Sequence, residues 1–519
     1  MALSEAQQRA VTRWDQDVCV VAGPGSGKTR VLVERFAWLV REKKISPLRI
    51  LAITFTDKAA TEIKDRLAQE FSDDPGLRIQ IERAYVSTVH GFCSRLLREH
   101  AIEAGLDPEF STMEEPESAR LLEEAAGAVL DELYRSRPGQ LRRLLNSIYS
   151  ASNPRGRQLD LAGSLIRIYG ALRTAGRSIS ELRQAPPPHA QQVFQMLLDQ
   201  LSELLAGAPH VSNKSQAECL EAMAAWLARA RQAPPWPARS KHFELLHGFL
   251  ENHRLPPNFL GGKVKQFRDE RIPEALSALA ADYYAGLAGL LIDAVERLDA
   301  EYRRRKRQAG ALDFADLEEQ AIALLDSSPE VRQAVSSRFE QILMDEMQDT
   351  NPLQWKLIER LRRPKRFFAV GDINQSIYGF RHAAPEVFSR YREQVRQSGA
   401  VDELDENYRS RQEILDAART VLSGAPGVED RALQARRVFF EPDGGAVVVA
   451  AATGENSVQA RQAEARWVAR QILSLVGNLN IQQRRQDQET LRPASFGDIA
   501  VLVRSLNLAA PFEQAFREF

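Results

Sequence analysis

The sequence has few cysteines, almost no net charge and no long apolar run. Its three cysteines, Cys19, Cys93 and Cys219, lie far apart without the spacing of metal ligands, which predicts reduced thiols in a cytoplasmic protein. The formal net charge is −1, so any nucleic-acid binding must use a local basic groove. The first residues, MALSEAQQRAVTRW, contain no apolar signal core, and no run is long enough to span a bilayer. We therefore expect no membrane association.

The chain of 519 residues is too long for one hydrophobic core, which predicts two to four domains or subdomains. Short apolar runs rich in β-branched residues are typical of parallel strands that are covered on both faces. Helical patterns between several of these runs predict an α/β fold with a parallel sheet. The runs are residues 18–23, 49–56, 85–90, 341–346, 367–372, 446–451 and 498–504.

The middle of the chain is almost entirely helical in pattern and is interrupted by proline clusters at 185–190, 233–238 and 255–262. We interpret it as an insertion into the first of two α/β domains. The polar stretch 478–495 is predicted to be a solvated loop before the last strand. Because the sequence ends just after a strand and a helical pattern, we expect the second α/β domain to be partial. The predicted domains are 1–113 with 308–403, the helical insertion 114–307, and the second domain 404–519.

A glycine-rich segment, AGPGSGKT, lies between a predicted strand and a predicted helix, which is the context of a P-loop. Its backbone N–H groups and the helix N-terminus favour phosphate. Lys28 would reach the β- and γ-phosphates of ATP, and Thr29 would hold Mg²⁺. A glycine-rich turn without a ligand is the alternative, which the flanking elements disfavour. The predicted residues are Ala22, Gly23, Pro24, Gly25, Ser26, Gly27, Lys28, Thr29 and Arg30.

Two adjacent carboxylates, Asp345 and Glu346, end the predicted run at 341–346. Asp345 suits a role in holding Mg²⁺, and Glu346 suits polarisation of the attacking water. Neighbouring carboxylates at a strand end are costly to desolvate unless a cation is near. The alternative is that the two carboxylates lie at a solvated strand end without a function. The presence of the glycine-rich segment in the same chain disfavours this alternative.

Several further segments accompany these two, and together they resemble superfamily-one DNA helicases of the UvrD/Rep type, particularly the RecB/AddA helicase–nuclease branch. The resemblance runs from Leu3 to the last residue. The P-loop of this family commonly starts with Ala, as it does here at Ala22. Asp57 departs from the family, which more often has Asn there. The segments are LSEAQQRAV, AGPGSGKT, ITFTDKAATEIKDRL, VSTVHGFCSRLLREHAIEAG, LDFADL, MDEMQDT, VGDINQSIYGFRHA and LDENYRSRQEIL.

The resemblance implies roles for residues around the nucleotide. It implies a RecA-like fold, with Gln7 as the reader of adenine and Gln375 as the sensor of the γ-phosphate. Tyr408 would stack on adenine, and Arg409 would act as an arginine finger. A surface arginine at a helix start is the alternative for Arg409.

The resemblance also implies a track for single-stranded DNA, on which aromatic rings stack without regard to sequence. The implied contacts are Phe55, Thr56, Thr88, His90, Tyr378, Phe380 and Arg381. Core packing is the alternative for Phe380, and a structural role is the alternative for His90. The basic run 302–308, YRRRKRQ, is either a solvated helix face or part of the DNA path.

By resemblance, the chain is an ATP- and Mg²⁺-dependent DNA helicase or translocase, moving 3′→5′ and acting in DNA repair or recombination. The expected partners are single-stranded DNA, duplex DNA and a second helicase–nuclease subunit. The later motor motifs and a nuclease are not found, so we expect an N-terminal portion of a longer protein. We expect this portion to bind nucleotide but to be weakly active or inactive in hydrolysis and unwinding by itself. The alternatives are an ATP-binding DNA-recognition subunit with little motor activity, and a P-loop kinase, which the aromatic segment SIYGFR disfavours.

Overall fold

The computed structural model describes residues 3–151, 160–184, 190–208, 214–232, 239–252, 263–379, 382–440, 446–485 and 488–519. Five of the apolar runs, at 18–23, 49–56, 85–90, 341–346 and 367–372, form strands in it. In chain order the strands are β1 Val18–Ala22, β2 Ile50–Thr54, β3 Tyr85–Thr88, β4 Ser111–Thr112, β5 Ala311–Leu312, β6 Gln341–Met344, β7 Phe367–Gly371, β8 Ala400–Leu404, β9 Glu406–Asn407, β10 Gln434–Ala435, β11 Asn480–Arg485 and β12 Gln488–Pro493.

The main sheet has six parallel strands in the order β3-β2-β6-β7-β1-β8, which confirms the predicted α/β fold with a parallel sheet. Every residue of β1, β2 and β7 is buried, as expected for strands covered on both faces. Because the strands are parallel, their carboxyl ends lie at one edge, where the loops after β1, β2, β6 and β7 also lie.

Helices connect these strands. In chain order they are α1 Glu5–Thr12, α2 Lys28–Arg41, α3 Asp57–Glu70, α4 Pro75–Arg83, α5 Val89–Glu99, α6 Ala101–Ala104, α7 Glu115–Ser136, α8 Pro138–Ala151, α9 Leu161–Thr174, α10 Glu181–Gln184, α11 Ala190–Ala206, α12 Lys214–Arg231, α13 Arg239–Asn252, α14 Lys263–Gln266, α15 Ile272–Gln308, α16 Phe314–Ser327, α17 Pro329–Arg338, α18 Pro352–Leu361, α19 Pro385–Ser398, α20 Gln412–Leu422, α21 Ser457–Leu475 and α22 Ala509–Glu518.

The helix that follows β1 is fixed by its buried face. Val31, Leu32 and Phe36 of α2 are fully buried in a core that they share with β1. Arg35 is also buried, and its guanidinium donates to the carbonyl oxygens at the end of α1, including that of Arg13 at 2.8 Å. Packing against the core therefore fixes the position of the first turn of α2, and the hydrogen bonds of Arg35 fix the end of α1.

The chain divides into two compact units, Met1–Leu96 with Ala321–Phe519, and Leu97–Gln320. The second unit is helical, apart from the parallel pair β4 and β5, and its described residues form two apolar clusters. Its helices α7 to α15 cover most of the predicted insertion 114–307, whose bounds, like those of the other predicted domains, stay a prediction. The three proline clusters lie mostly outside the described residues.

The basic run 302–308 lies at the end of α15 and is largely paired within the helical unit. Lys306 is buried, with its Nζ 2.8 Å from Asp313 Oδ2. Three neighbouring arginines also form ion pairs, so the interpretation as a solvated face is wrong for Lys306 and incomplete for the rest. The pairs are Arg303 with Asp299 and Glu319, Arg304 with Glu301, and Arg305 with Glu301 and Glu124.

The segment 446–519 differs from the predictions. Neither 446–451 nor 498–504 forms a strand, and Val449 and Leu502 are 92% and 94% exposed. The stretch predicted to be a solvated loop contains instead the antiparallel pair β11 and β12. An apolar run becomes a strand only where a neighbouring strand pairs with its N–H and C=O groups, and these runs have no such neighbour in the described chain.

Within the described ranges, no single helix is long and apolar enough to cross a membrane. One pair of helical segments, Val264–Asp282 and Leu287–Gln308, meets the length and composition test jointly, with a bend of 78° between the two.

Candidate functional site

The glycine-rich segment forms a tight loop between β1 and α2. Gly25 and Gly27 have left-handed φ values of 70° and 84°, and Gly27 is the N-cap of α2. A Cβ on Gly25 would lie 2.8 Å from Asn407 Nδ2, so the space there also requires glycine. Ser26 is buried and donates from Oγ to the carbonyl oxygen of Gly23 at 2.7 Å. The first backbone N–H groups of α2 thus lie at the carboxyl edge of the sheet.

Lys28 is the first residue of α2, and its ammonium group joins two distant parts of the chain. Its Nζ lies 2.7 Å from Glu346 Oε2, after β6, and 2.9 Å from Gln375 Oε1, after β7. The lysine side chain is only 9% exposed. Three residues predicted separately, a cation, a carboxylate and an amide, therefore lie at one point.

Asp345 is buried beside this point, and burial raises its pKa to about 7, with the charge of Glu346 as the second cause. Glu346 itself has a left-handed backbone, with φ of 48°, which is strained for a residue with a side chain. Asp349 also has a raised pKa, about 6, again mainly because of burial. Such a concentration of carboxylates favours a cation.

The residues present fit Mg²⁺. Magnesium is usually held by one or two protein oxygens together with waters and phosphates. Asp345 offers a buried carboxylate and Thr29, on the first turn of α2, a half-buried hydroxyl. Among the described residues no group of three or more His, Cys, Asp or Glu side chains has a metal-binding arrangement, so the donors do not form an all-protein cage.

The segment after β8 contacts the glycine-rich loop directly. Asn407 is buried and donates from Nδ2 to the carbonyl oxygen of Pro24 at 2.5 Å, while the backbone N–H of Tyr408 donates to that of Gly25 at 2.8 Å. The hydroxyl of Tyr408 donates to Glu406 at 2.6 Å. Arg409 follows with an exposed side chain. Both residues predicted from this segment are thus brought beside the loop.

Gln7 lies on the other side of the loop and is buried. Its Nε2 donates to the carbonyl oxygen of Ser26 at 2.8 Å, and its Oε1 accepts from the backbone N–H of Ser4 at 3.0 Å. The two ends of the amide therefore each make one hydrogen bond inside the protein, which uses one of its two N–H groups and one of its two oxygen lone pairs. Of the other predicted residues, Ala22 ends β1, and Arg30 pairs with Glu34 on α2.

Two predicted DNA-contacting aromatic residues are in contact. The rings of Phe55, after β2, and Tyr378, after β7, have centroids 4.4 Å apart with an angle of 36° between their planes. Both are half-buried at the carboxyl edge of the sheet, and Ile377 beside them is exposed. They form a small apolar surface there.

The remaining predicted DNA contacts lie at helix starts or outside the described residues. Thr56 is the exposed N-cap of α3, and its hydroxyl accepts from the backbone N–H of Ala59. Thr88 is buried and donates to Asp57 Oδ1 at 3.3 Å, and His90 is half-buried on α5. Phe380 and Arg381 are not among the described residues.

The sequence does not predict four polar residues that support the site: Gln348, Asp372, Asn374 and Asn407. Asp372 accepts from Gln375 Nε2 at 2.6 Å. Asn374 exchanges two hydrogen bonds with the backbone of Glu429, at 2.8 and 2.9 Å. Their position within the quoted segments is a usable signal, but residue type alone does not separate them from solvent-exposed polar residues.

The chain is similar in sequence to known proteins. A profile of the UvrD/REP helicase N-terminal domain matches residues 3–396. The chain is 26% identical to the A subunit of the ATP-dependent helicase/nuclease of Staphylococcus haemolyticus (strain JCSC1435), with 99% of this chain and 48% of the relative covered. It is 27% identical to the A subunits from Staphylococcus epidermidis (strain ATCC 12228 / FDA PCI 1200), with 99% and 47% covered, and from Staphylococcus aureus (strain USA300 / TCH1516), with 99% and 48% covered. The chain thus spans about half the length of the curated relatives it matches.

Proposed function

Because this chain belongs to the UvrD/REP helicase family, we propose that it binds ATP and couples its hydrolysis to movement along single-stranded DNA. The observation that carries the proposal is the meeting of Lys28 with Glu346 and Gln375, within 2.7 and 2.9 Å. These three side chains surround the first turn of a helix that follows a glycine-rich loop. This combination suits the terminal phosphate of a nucleotide.

Each residue at the loop has a distinct task in this proposal. Lys28 contacts the β- and γ-phosphates, and Gln375 contacts the γ-phosphate. Asp345 and Thr29 would hold Mg²⁺, which would offset the phosphate charge when bound. Glu346 accepts a proton from the attacking water.

The segment after β8 supplies the other side of the nucleotide site. Tyr408 packs on adenine, with Gln7 reading its edge. Arg409, which is exposed beside the loop, places a guanidinium at the γ-phosphate. The residues of the glycine-rich loop cradle the phosphates.

The DNA track lies at the same edge of the sheet. Phe55 and Tyr378 offer ring faces to bases, and Thr56, Thr88 and His90 contact the strand. Phe380 and Arg381, which lie outside the described residues, are also proposed to contact the DNA. Because Tyr378 is three residues from Gln375, the loop after β7 can transmit a change at the phosphate to the DNA.

We further propose two RecA-like domains, the first from 1–113 with 308–403 and the second from 404–519, with a helical domain at 114–307. Movement is 3′→5′, and the role is in DNA repair or recombination. The relatives are named as one subunit of a helicase/nuclease, which supports a second, partner subunit for this chain. Single-stranded and duplex DNA are the substrates.

The test is the ATPase rate with and without single-stranded DNA, for the wild type and Glu346→Gln. We expect DNA to stimulate the wild type, and the variant to keep ATP binding while losing at least about 100-fold in rate. Glu340→Gln is the matched control. Glu340 comes just before the first residue of β6, at the other end of the strand from Glu346, and it pairs with Arg49 at 2.9 Å.

Normal hydrolysis by Glu346→Gln would contradict the assignment of the base. Tight binding of ATP and DNA without hydrolysis would favour an ATP-binding DNA-recognition subunit instead. Hydrolysis that DNA does not change would remove the proposed coupling.

A further inference from the structure

Gln348 lies in the short turn Met347–Asp349 after β6 and is only 1% exposed. Its Nε2 donates to Glu346 Oε2 at 2.9 Å and to Asp349 Oδ2 at 3.0 Å. Its Oε1 accepts from the backbone N–H of Asp372, at the end of β7, at 2.9 Å. One buried amide therefore connects the loop after β6 with the loop after β7.

The orientation of this amide is fixed by its neighbours. If the group were turned by 180°, its oxygen would face the carboxylates of Glu346 and Asp349, and its NH₂ would face the N–H of Asp372. Both contacts would be repulsive, because carboxylates only accept and a backbone N–H only donates. The chemistry thus permits one orientation, in which the amide has a donor for one loop and an acceptor for the other.

The fold also leaves room for the amide. A Cβ on Gly371 would lie 2.9 Å from Gln348 Oε1 and 3.0 Å from the ring of Phe388. Only glycine at the end of β7 lets the amide approach the strand this closely. In addition, Ser376 Oγ donates to the backbone carbonyl oxygen of Gln348 at 3.3 Å, which adds a second connection between the two loops.

Glu346 Oε2 accepts from both Lys28 and Gln348. A phosphate at the loop attracts Lys28 more strongly than one carboxylate does, because it carries more negative charge. Of the two described side chains that donate to Glu346 Oε2, Gln348 would then be the one that remains. The left-handed backbone of Glu346 increases the need for such support, because a strained residue keeps its position only if its surroundings fix it.

We propose that Gln348 is a positioning residue for ATP hydrolysis, which holds the carboxylate of Glu346 in register with the loop that contains Gln375. This inference rests on the proposed function. Gln348 acts through Glu346 and Asp372 and does not itself contact the nucleotide. It should therefore affect the rate of hydrolysis much more than the affinity for ATP.

The first test is Gln348→Met, which keeps the length of the side chain and removes its hydrogen bonds. We expect the single-turnover rate of ATP hydrolysis to fall about 10- to 100-fold, since a small displacement of a reacting group has effects of that size. The Kd for Mg·ATP should change less than about 3-fold. The matched control is Gln354→Met, because Gln354 is also buried but caps α18, where its Oε1 accepts from Asn351 N–H at 3.3 Å.

The second test is Gln348→Glu, which also serves if the methionine variant does not fold. A protonated glutamic acid keeps one O–H donor and one acceptor, although the amide donates two hydrogen bonds, to Glu346 and Asp349. The ionised form has no donor and faces the carboxylates of Glu346 and Asp349, with Lys28 beyond Glu346. We expect the rate of this variant, divided by that of the wild type at the same pH, to be several-fold higher at pH 6 than at pH 8.

The outcomes separate the two proposals. Hydrolysis by Gln348→Met at the wild-type rate, or a ratio for Gln348→Glu that does not change with pH, would overturn the role of Gln348 alone. A wild type that binds ATP but does not hydrolyse it, even in a single turnover with DNA, would overturn the proposed function and this role with it.

Discussion

Strand β1 and the run at 446–451 have nearly the same composition, VCVVA and AVVVAA, but opposite environments. All of β1 is buried between β7 and β8, whereas Val448 and Val449 are 72% and 92% exposed. The buried cluster in the described part of 446–519 consists of three alanines, Ala465, Ala469 and Ala515, with Phe512 packed against it. An apolar pattern thus indicates that a segment can be buried, while its pairing partners decide whether it is.

The same difference explains where the site is. The strands of the main sheet bring Lys28 together with Glu346 and Gln375, although hundreds of residues separate it from both in sequence. Most side-chain hydrogen bonds in the described part of 446–519 are local, as between Arg492 and Asp498 at 2.6 Å, although the ion pairs Arg437–Glu489 and Arg466–Glu518 each span 52 residues. A site assembled from distant parts of a chain requires the paired sheet.

Substitution of one leucine in each region should give the largest difference between them, measured as the free energy of unfolding. Leu343 in β6 is fully buried, and Leu343→Ala should lower the free energy of unfolding by about 2–5 kcal/mol. Leu502→Ala should change it by less than about 0.5 kcal/mol, because that side chain is almost fully exposed. Urea unfolding followed by circular dichroism measures both. Equal losses would show that the 498–504 run is buried in solution.

The pH dependence of stability gives a second test, in which a buried aspartate of the main sheet is compared with an exposed one in 446–519. The pKa of Asp345 is 3.8 without its surroundings and about 7 in the folded protein. The folded state therefore binds an extra proton between these values, and stability falls as the pH rises through that window. Asp345→Asn should be more stable than the wild type by on the order of 1–3 kcal/mol at pH 8 and equal to it below about pH 4, in urea unfolding without Mg²⁺.

The control for Asp345 comes from the other region. Asp498 is exposed, and the hydrogen bond from Arg492 lowers its pKa. Asp498→Asn should therefore give no gain in stability at pH 8. If Asp345→Asn were less stable than the wild type at pH 8, the carboxylate would have a cation partner in solution without added Mg²⁺.

Substitution of aromatic residues should give the smallest difference between the two regions, measured as the affinity for single-stranded DNA. Phe55→Ala or Tyr378→Ala should weaken binding of single-stranded DNA by about 1–3 kcal/mol, since each stacked base contributes about that much. Phe496 is 63% exposed in the 446–519 segment, and Phe496→Ala should change DNA binding less than about 2-fold. Fluorescence anisotropy at one fixed salt concentration compares the three. Similar losses for all of them would place the DNA track elsewhere.

Much of the sheet could be predicted from sequence because buried parallel strands are continuously apolar. Strand β8, AVDEL, could not be, because Asp402 and Glu403 interrupt the pattern, and the buried carboxylate of Asp402 is paired with Arg13 at 3.2 Å and with Arg9 at 3.9 Å. The predictions of strands at 446–451 and 498–504 were wrong for the opposite reason. Both runs are apolar, but an apolar run does not itself specify a neighbouring strand to pair with. The 480–493 hairpin has polar faces, so its sequence resembles that of a loop.

The nucleotide loop could be predicted because its glycines, lysine and flanking elements are consecutive in sequence. The supporting amides could not be predicted in the same way. Gln348 and Asn407 are defined by what lies opposite them in space, and residue spacing alone does not contain that information. The predicted roles of the site residues stay predictions until they are tested by mutation.

The order of strands in the sheet has a consequence for synthesis of the chain. Strand β1 emerges early, but its neighbours β7 and β8 begin only at Phe367 and Ala400. At about 5–20 residues per second, the roughly 340 residues between β1 and β7 take about 17–70 s to be made. During that time the helical unit can form its local contacts, while β1 has two unpaired edges that invite aggregation or chaperone binding. The glycine-rich loop, although encoded before β7 and β8, gains its strand neighbours only after both have been made.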